Sequence, residues 1–290
     1  MYRKNDKKCY PLCTLSFSHS QNCLIVSLSY CLIVSLSHYL IPKFSNSQIP
    51  KSSNSHIFAL KLNTLNILVI ADEPKQSELL LKLGTDHTID ALDEEEFLDF
   101  DDFDGYDAIF DLNFENHNEL LEEYSQIPDT LIIVSGIKSA LAELVYLEEF
   151  EDDICLIGIN DLPGFINREK AEISLLNESD SIKAIAFFKS LNWPCIMVKD
   201  RVGMVTPRIV LMIINEACYT LQEGTAGIED IDSSMKLGTN YPHGPFEWCD
   251  MIGIENVYET LESIYHDTHD ERYKVCPLLK SKYLRSEKWY

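Results

Sequence analysis

Residues 236–248, KLGTNYPHGPFEW, place one histidine, His243, among two glycines, two prolines and three aromatic rings. Imidazole is the side chain best suited to move protons near neutral pH, so His243 is the first candidate for acid–base work. A second candidate is the run DEEEFLDFDDFDGYD (93–107), with nine acids in fifteen residues. It suggests a metal site, but the acids lack EF-hand spacing and the loop glycine, so a solvated, self-repelling loop is expected. Nine cysteines stand singly, at 9, 13, 23, 31, 155, 195, 218, 249 and 276. Without a C-x-x-C pair or a histidine at ligand spacing, they predict free thiols in a reducing cytoplasm and no metal.

Charge narrows the partners. The formal net charge is -23. Residues 1–64 contain a single acid, Asp6, against seven Lys or Arg, which leaves 46 acids and 17 bases in residues 65–290. So acidic a body repels phosphate backbones and anionic lipid, and no basic stripe interleaved with aromatics offsets this. Neither nucleic acid nor membrane is expected as a partner; a small molecule or a protein is.

The elements that must position these residues alternate. From Leu65 onward, LNILVIA (65–71), HTID (87–90), YDAIFDL (106–112), TLIIVSG (130–136) and ICLIGIN (154–160) read as short buried strands. Helical or polar segments such as EPKQSELLLKLG (73–84) separate them, which predicts a parallel α/β sheet. After SIKAIAFFKSLNW (181–193) and the strand CIMVKD (195–200) the pattern turns helical. GMVTPRIVLMIINEACYTLQEG (203–224) puts Val205, Ile209, Met212, Ile213 and Ala217 on one stripe, with Gly224 as its stop. IEDIDSSMKLG (228–238), PFEWCDMIG (245–253) and IENVYETLESIYHD (254–267) read as three shorter helices, the first ended by Gly238 in a left-handed conformation. The expected class is α/β, with a sheet domain over 65–200 followed by an all-helical domain over 201–290.

Residues 1–64 are different material. They hold no glycine, twelve serines and tandem octads, CLIVSLSY then CLIVSLSH and IPKFSNSQ then IPKSSNSH. An eight-residue period matches neither a helix nor a solenoid unit. The segment reads as a low-complexity extension translated from a repeated DNA segment, as a disordered tail, or, through the apolar stretch 23–41, as a membrane anchor.

The helical half resembles a known family. IEDIDSSMKLGTNYPHGPFEWCDMIGIENVYETLESIY, followed by ERYKVCPLLK, is similar to the C-terminal domain of the 3-hydroxyacyl-CoA dehydrogenases, including the 3-hydroxybutyryl-CoA dehydrogenases. KLGTNYPHGPFEW matches the family pattern K-x-G-x-x-Y-P-x-G-P-F-E at every fixed position. The resemblance is strong over 200–290, is one of segment order over 130–200, and is weak over 65–130. It implies a Rossmann-like NAD domain, here shortened by several tens of residues, with an acyl-CoA between it and the helical domain and a homodimer formed through the helices. The implied reaction is the NAD-linked interconversion of short-chain 3-hydroxyacyl-CoA and 3-oxoacyl-CoA in fatty-acid metabolism. His243 matches a family position that varies and lies away from the proton-transfer pair, so it is expected at a surface or interface.

That reaction needs a general base, in the family a histidine held by a glutamate twelve residues later. The matching stretch INDLPGFINREKAEISLL (159–176) has Asn160 at the histidine position and Glu172 at the glutamate position. Asparagine cannot accept a proton near pH 7, although its amide can donate to a thioester or keto oxygen. TLIIVSGIKSAL puts Ser139 at a substrate-contacting serine and Gly136 in place of the asparagine beside the nicotinamide. In DRVGMVTPRIV, Pro207 stands in place of an active-site asparagine. Read without the resemblance, Asn160 is a strand-end turn residue, Glu172 a solvated strand residue and Pro207 a first-turn proline.

A dinucleotide fingerprint places G-x-G-x-x-G after the first strand, where bare backbone and a helix N-terminus meet the pyrophosphate. VIADEPKQS (69–77) substitutes Ala71 and Glu73 for the first two glycines, with Asp72 between them, and these acids read as helix caps. Asp90, at the end of the second strand, stands where a ribose-binding acid would, or is one more acid in an acid-rich chain. Two functions follow. One is an NAD-dependent dehydrogenase with Asn160, Glu172, Ser139 and Pro207 on its substrate side and Ala71, Asp90 and Gly136 on its cofactor side. The other is a catalytically impaired homologue that serves as an acyl-CoA-binding or dimerisation module.

Overall fold

The computed structural model describes residues 64–116, 120–147 and 154–290. The octads and the 23–41 stretch lie outside the described residues. Seven strands form one sheet in the order β2-β1-β3-β4-β5-β6-β7. They are β1 Asn66–Ile70, β2 Thr88–Leu92, β3 Ala108–Asp111, β4 Leu131–Ser135, β5 Leu156–Ile159, β6 Ala171–Leu175 and β7 Cys195–Met197. Neighbours run parallel except β5 and β6, which are antiparallel.

Helices cover both faces. Ile67, Val69, Phe110 and Ile157 join one core with Leu79 and Leu83 of α1 (Lys75–Leu83) and Phe188 of α5 (Ser181–Ser190). Leu68, Ile70, Ile109 and Ile132 join the other with Phe97 of α2 (Glu94–Phe97), Tyr124 of α3 (Leu121–Ser125) and Leu141 of α4 (Leu141–Leu147). Burial on both sides explains why the strands are continuous apolar runs rather than alternating ones. The fold is the expected α/β class, a short Rossmann-like sheet followed by helices. Among the described residues no helix is long and apolar enough to cross a membrane.

Two details of the sheet half differ from expectation. The acid-rich run is not all solvated loop: Asp93 and Glu96 form a capping box that starts α2. Phe97 is buried and Phe103 stacks edge-on to Tyr124 at 5.4 Å. Phenylalanines at three-residue spacing turn that segment onto the sheet while the carboxylates stay outside. Asp90, expected at a strand end, is the third of five residues in β2 and pairs with Leu68.

The helical half is built on α6 (Thr206–Gln222), packed by α7 (Ile228–Thr239), α8 (Pro245–Ile252), α9 (Ile254–Thr268) and α10 (Pro277–Tyr283). The buried stripe of α6 is Val210, Leu211, Ile214, Ala217 and Cys218. Of the expected stripe only Ala217 is in it, while Val205 and Ile209 are 49% and 58% exposed. The helix is apolar around most of its circumference, so two stripes share the 3.6 period and periodicity cannot choose between them. The other stripe, with Met235 of α7, lines an open apolar groove of about 750 Å³.

The KLGTNYPHGPFEW turn is mechanical throughout. Gly238 lies within α7, and the left-handed residue is Asn240, with φ 56°. Asparagine tolerates that conformation because its side chain is short and polar. Asp232 of α7, almost wholly buried, accepts from the backbone N–H groups of Phe246 (2.9 Å) and Glu247 (3.1 Å) and so caps α8 from outside. Gly244 makes this approach possible, since a Cβ there would lie 2.1 Å from Asp232 Cγ. Glu247 accepts from Gly244 N and pairs with Lys236. Half-buried His243 has its ring 6.0 Å from Trp248.

Candidate functional site

The site grows from the β5–β6 pair. Antiparallel pairing sets Ile159 opposite Ile173, and one step further Asn160 N donates to the carbonyl of Glu172 at 2.9 Å. Their side chains therefore meet: Asn160 Nδ2 donates to Glu172 Oε2 at 3.3 Å. Glu172 Oε1 also accepts from Val205 N at 2.6 Å and Thr206 N at 3.0 Å. The carboxylate thus caps α6, whose first N–H groups have no intrahelical acceptor and carry the positive end of the helix dipole. Pro207 follows at the first turn of α6, where its missing N–H costs nothing. Asn160 is only 5% exposed and its Oδ1 accepts from Leu162 N at 3.4 Å. Glu172 and Asn160 are a hydrogen-bonded pair tied to a helix start: the amide of Asn160 cannot take a proton from a hydroxyl, and the carboxylate of Glu172 is engaged by the N–H groups of Asn160, Val205 and Thr206.

Other expected residues fall elsewhere. Gly136 is buried, and a Cβ there would lie 2.6 Å from the methyl of Met204 and 3.1 Å from Gly158 Cα, so Met204 fills the space a larger side chain would need. Ser139 lines a wide groove of about 850 Å³ with Asp200, Arg201, Glu262 and His266. Asp90 accepts from Tyr106 Oη at 2.8 Å, and burial together with that carboxylate pushes the Tyr106 phenol up to about 12.

The chain reverses direction across the sheet at β1, which neighbours both β2 and β3, so the crevice beyond their carboxyl ends is the natural ligand position of such a sheet. Ala71 there is buried, its N–H donating to Leu92 O at 3.1 Å and its carbonyl accepting from Gln76 Nε2 at 3.0 Å. Asp72 accepts from Glu94 N, and Glu73 accepts from Ser77 Oγ. Lys75 crosses to Leu112 O at 3.5 Å and to Asp161 Oδ2 at 2.5 Å, and Ser135 Oγ donates to Asp161 Oδ1 at 2.8 Å. Asp161 is 1% exposed, so this ion pair is an internal one. Lys138, after β4, pairs with Glu115 at 3.5 Å and with Glu259 of α9 at 2.8 Å. Lys75, Asp161, Ser135 and Lys138 escaped the sequence reading. The one available signal was the isolated base Lys75 inside the turn that should carry glycines.

This donor set does not fit a dinucleotide. A pyrophosphate needs bare backbone N–H groups at a glycine turn. The turn offers Ala71 and two carboxylates, and its lysine is spent on Asp161. Among the described residues no group of three His, Cys, Asp or Glu could hold a metal ion.

Residues 203–288 match the family described as 3-hydroxyacyl-CoA dehydrogenase, C-terminal domain. The 3-hydroxyadipyl-CoA dehydrogenase of Escherichia coli is 39% identical over 107 residues, 37% of this chain and 22% of that protein. The 3-hydroxybutyryl-CoA dehydrogenase of Clostridioides difficile is 28% identical over 189 residues, 62% of this chain and 66% of that protein. The matches thus span less than two thirds of either relative's length. In fold, the chain is similar to the crystal structure of (S)-3-hydroxybutyryl-CoA dehydrogenase from Ralstonia eutropha, with a TM-score of 0.62 at 18% identity over 77% of this chain and 94% of that one. The helical half therefore matches the C-terminal domain of the 3-hydroxyacyl-CoA dehydrogenases, and the fold of the chain is similar to that of a solved 3-hydroxybutyryl-CoA dehydrogenase.

Proposed function

We propose that the chain is an oxidoreductase that interconverts a short 3-hydroxyacyl-CoA and its 3-oxoacyl-CoA in acyl-CoA metabolism. The match of residues 203–288 to the family's C-terminal domain carries this reading. NAD is the redox partner the family implies and would accept or supply the hydride, but the crevice residues do not fit it. The chain's own residues act on the substrate side: Glu172 holds Asn160, whose amide has a second N–H for a substrate oxygen, and Ser139 offers a hydroxyl in the wide groove. A homodimer through the helical half is part of the reading, supported by the open apolar groove along α6, as is a cytoplasmic location.

One observation favours a second reading. The Lys75–Asp161 pair and the carboxylates of Asp72 and Glu73 stand beyond the carboxyl end of β1, where a pyrophosphate would need bare backbone N–H groups. On that reading the chain is a catalytically impaired homologue that binds acyl-CoA and dimerises. Calorimetry of the full chain with NADH and with acetoacetyl-CoA, followed by an NADH-oxidation assay, decides between them. Turnover near the ordinary enzyme range of about 10 s⁻¹ establishes the first. Binding of acetoacetyl-CoA without turnover selects the second, and binding of neither overturns both.

A further inference from the structure

Lys138 stands three residues beyond β4, between the sheet half and α9. Glu115 and Glu259 take two directions of its ammonium, which has three donors. Desolvation pulls its pKa down, but the two carboxylates outweigh this and hold the group charged well past neutrality. Its side chain lines two cavities. One is a chamber of about 130 Å³ shared with Ser135, Asn113, Asp161 and Asn256. The other is the 850 Å³ groove that holds Ser139. The chamber has room for a few heavy atoms, whereas the groove is in the size range of a cofactor-sized ligand. Of the residues that line them only Lys138 belongs to both, so a thioester with its short acyl group in the chamber and its coenzyme arm in the groove would bring its carbonyl oxygens to this ammonium.

We propose that Lys138 is the cationic contact for the carbonyl oxygens of a short 3-oxoacyl-CoA, a role that rests on the acyl-CoA reading above and holds whether or not the chain turns its ligand over. A fixed ammonium beside these oxygens favours the enolate of the 3-oxo thioester: the C2 proton leaves to solvent and the negative charge on oxygen is held by Lys138. A full positive charge stabilises an enolate oxygen more than a neutral donor such as the amide of Asn160 does. It also selects short acyl groups, because the chamber behind it is small.

The test uses the full chain titrated with acetoacetyl-CoA, read by calorimetry and by the near-ultraviolet band of the enolate. Wild type should bind and strengthen the band. Lys138→Met should lose the band and bind about tenfold more weakly, while Lys138→Arg, which keeps the charge, should retain most of both. Glu259→Gln removes the pairing to α9 but leaves the ammonium, so the band should persist. An undiminished band in Lys138→Met overturns the inference alone. So does a loss in Glu259→Gln as large as in Lys138→Met, which would make Lys138 only a link between the two halves. Absence of acetoacetyl-CoA binding by wild type overturns it together with the reading on which it rests.

Discussion

The helical half and the sheet half obey different constraints. In the turn from Lys236 to Trp248, the side chains that match the family pattern have mechanical partners: Glu247 binds Lys236 and Gly244 N, and the approach of Asp232 leaves no room beyond a hydrogen at Gly244. In the sheet half the strands keep their apolar runs, but the residues at their carboxyl ends have turned inward, to Asp161, Glu172 and Met204. Packing specifies a scaffold residue by residue, because a displaced atom meets a neighbour at once. A cavity wall is specified only by what it must bind, and an internal ion pair can take the ligand's place without disturbing the core.

The sharpest way to break this comparison is Gly244→Val. We expect a loss of about 3 kcal/mol or more in urea unfolding, since the added atoms collide with Asp232. A loss below about 1 kcal/mol would mean that the helical half is not held by this contact. On the sheet side, Lys75→Met should cost about 2 kcal/mol, less than a fully buried pair because Lys75 is 20% exposed. It should leave NADH binding weak; tight binding by this variant would show that the lysine alone excludes the cofactor.

Smaller effects sharpen the contrast. Glu172→Gln should lose about 1 kcal/mol of stability through the weakened cap on α6, by the same unfolding measurement. Asn160→His should raise NADH-dependent reduction of acetoacetyl-CoA by less than about tenfold. A recovery of about 10²–10⁴, the usual worth of a positioned base, would show that the crevice still serves a cofactor. Smallest is the alkaline edge. The Tyr106 phenol is raised to about 12, so its contribution is fully present below the ordinary tyrosine value of about 10 and is lost as pH climbs through 12. Tyr106→Phe should remove that segment of the pH–stability curve, as followed by tyrosinate absorbance and unfolding.

Much of the scaffold was legible in the sequence. Strands buried on both faces announce themselves as unbroken runs such as Ile67–Ile70, and Pro207 and Pro245 mark helix starts. The stripe of α6 was not legible, because a helix apolar nearly all round offers two faces of equal period. The end of α7 was missed because asparagine at 240, rather than the nearby glycine, adopts the left-handed turn. Asn160 and Glu172 could be paired only through the resemblance to the family's histidine and glutamate, and the antiparallel β5–β6 pairing is what brings them together. Lys75 and Asp161 are 86 residues apart and meet only once the sheet order is known. Lys138 was overlooked beside Ser139, since nothing in its neighbours reveals that two cavities share it.

The antiparallel pairing of β5 and β6 has a consequence for alignment. Side chains alternate along a strand, so a slip of β6 by one residue would send Glu172 to the opposite face and offer the start of α6 an alanine or an isoleucine. The amides of Val205 and Thr206 would then lose their acceptor at the junction of the two halves. The correct register is therefore specified twice, by the apolar pattern and by one carboxylate whose four hydrogen bonds exist in a single alignment. A carboxylate bonded to the amide of Asn160 and to the start of α6 thus serves as the proofreader of a strand.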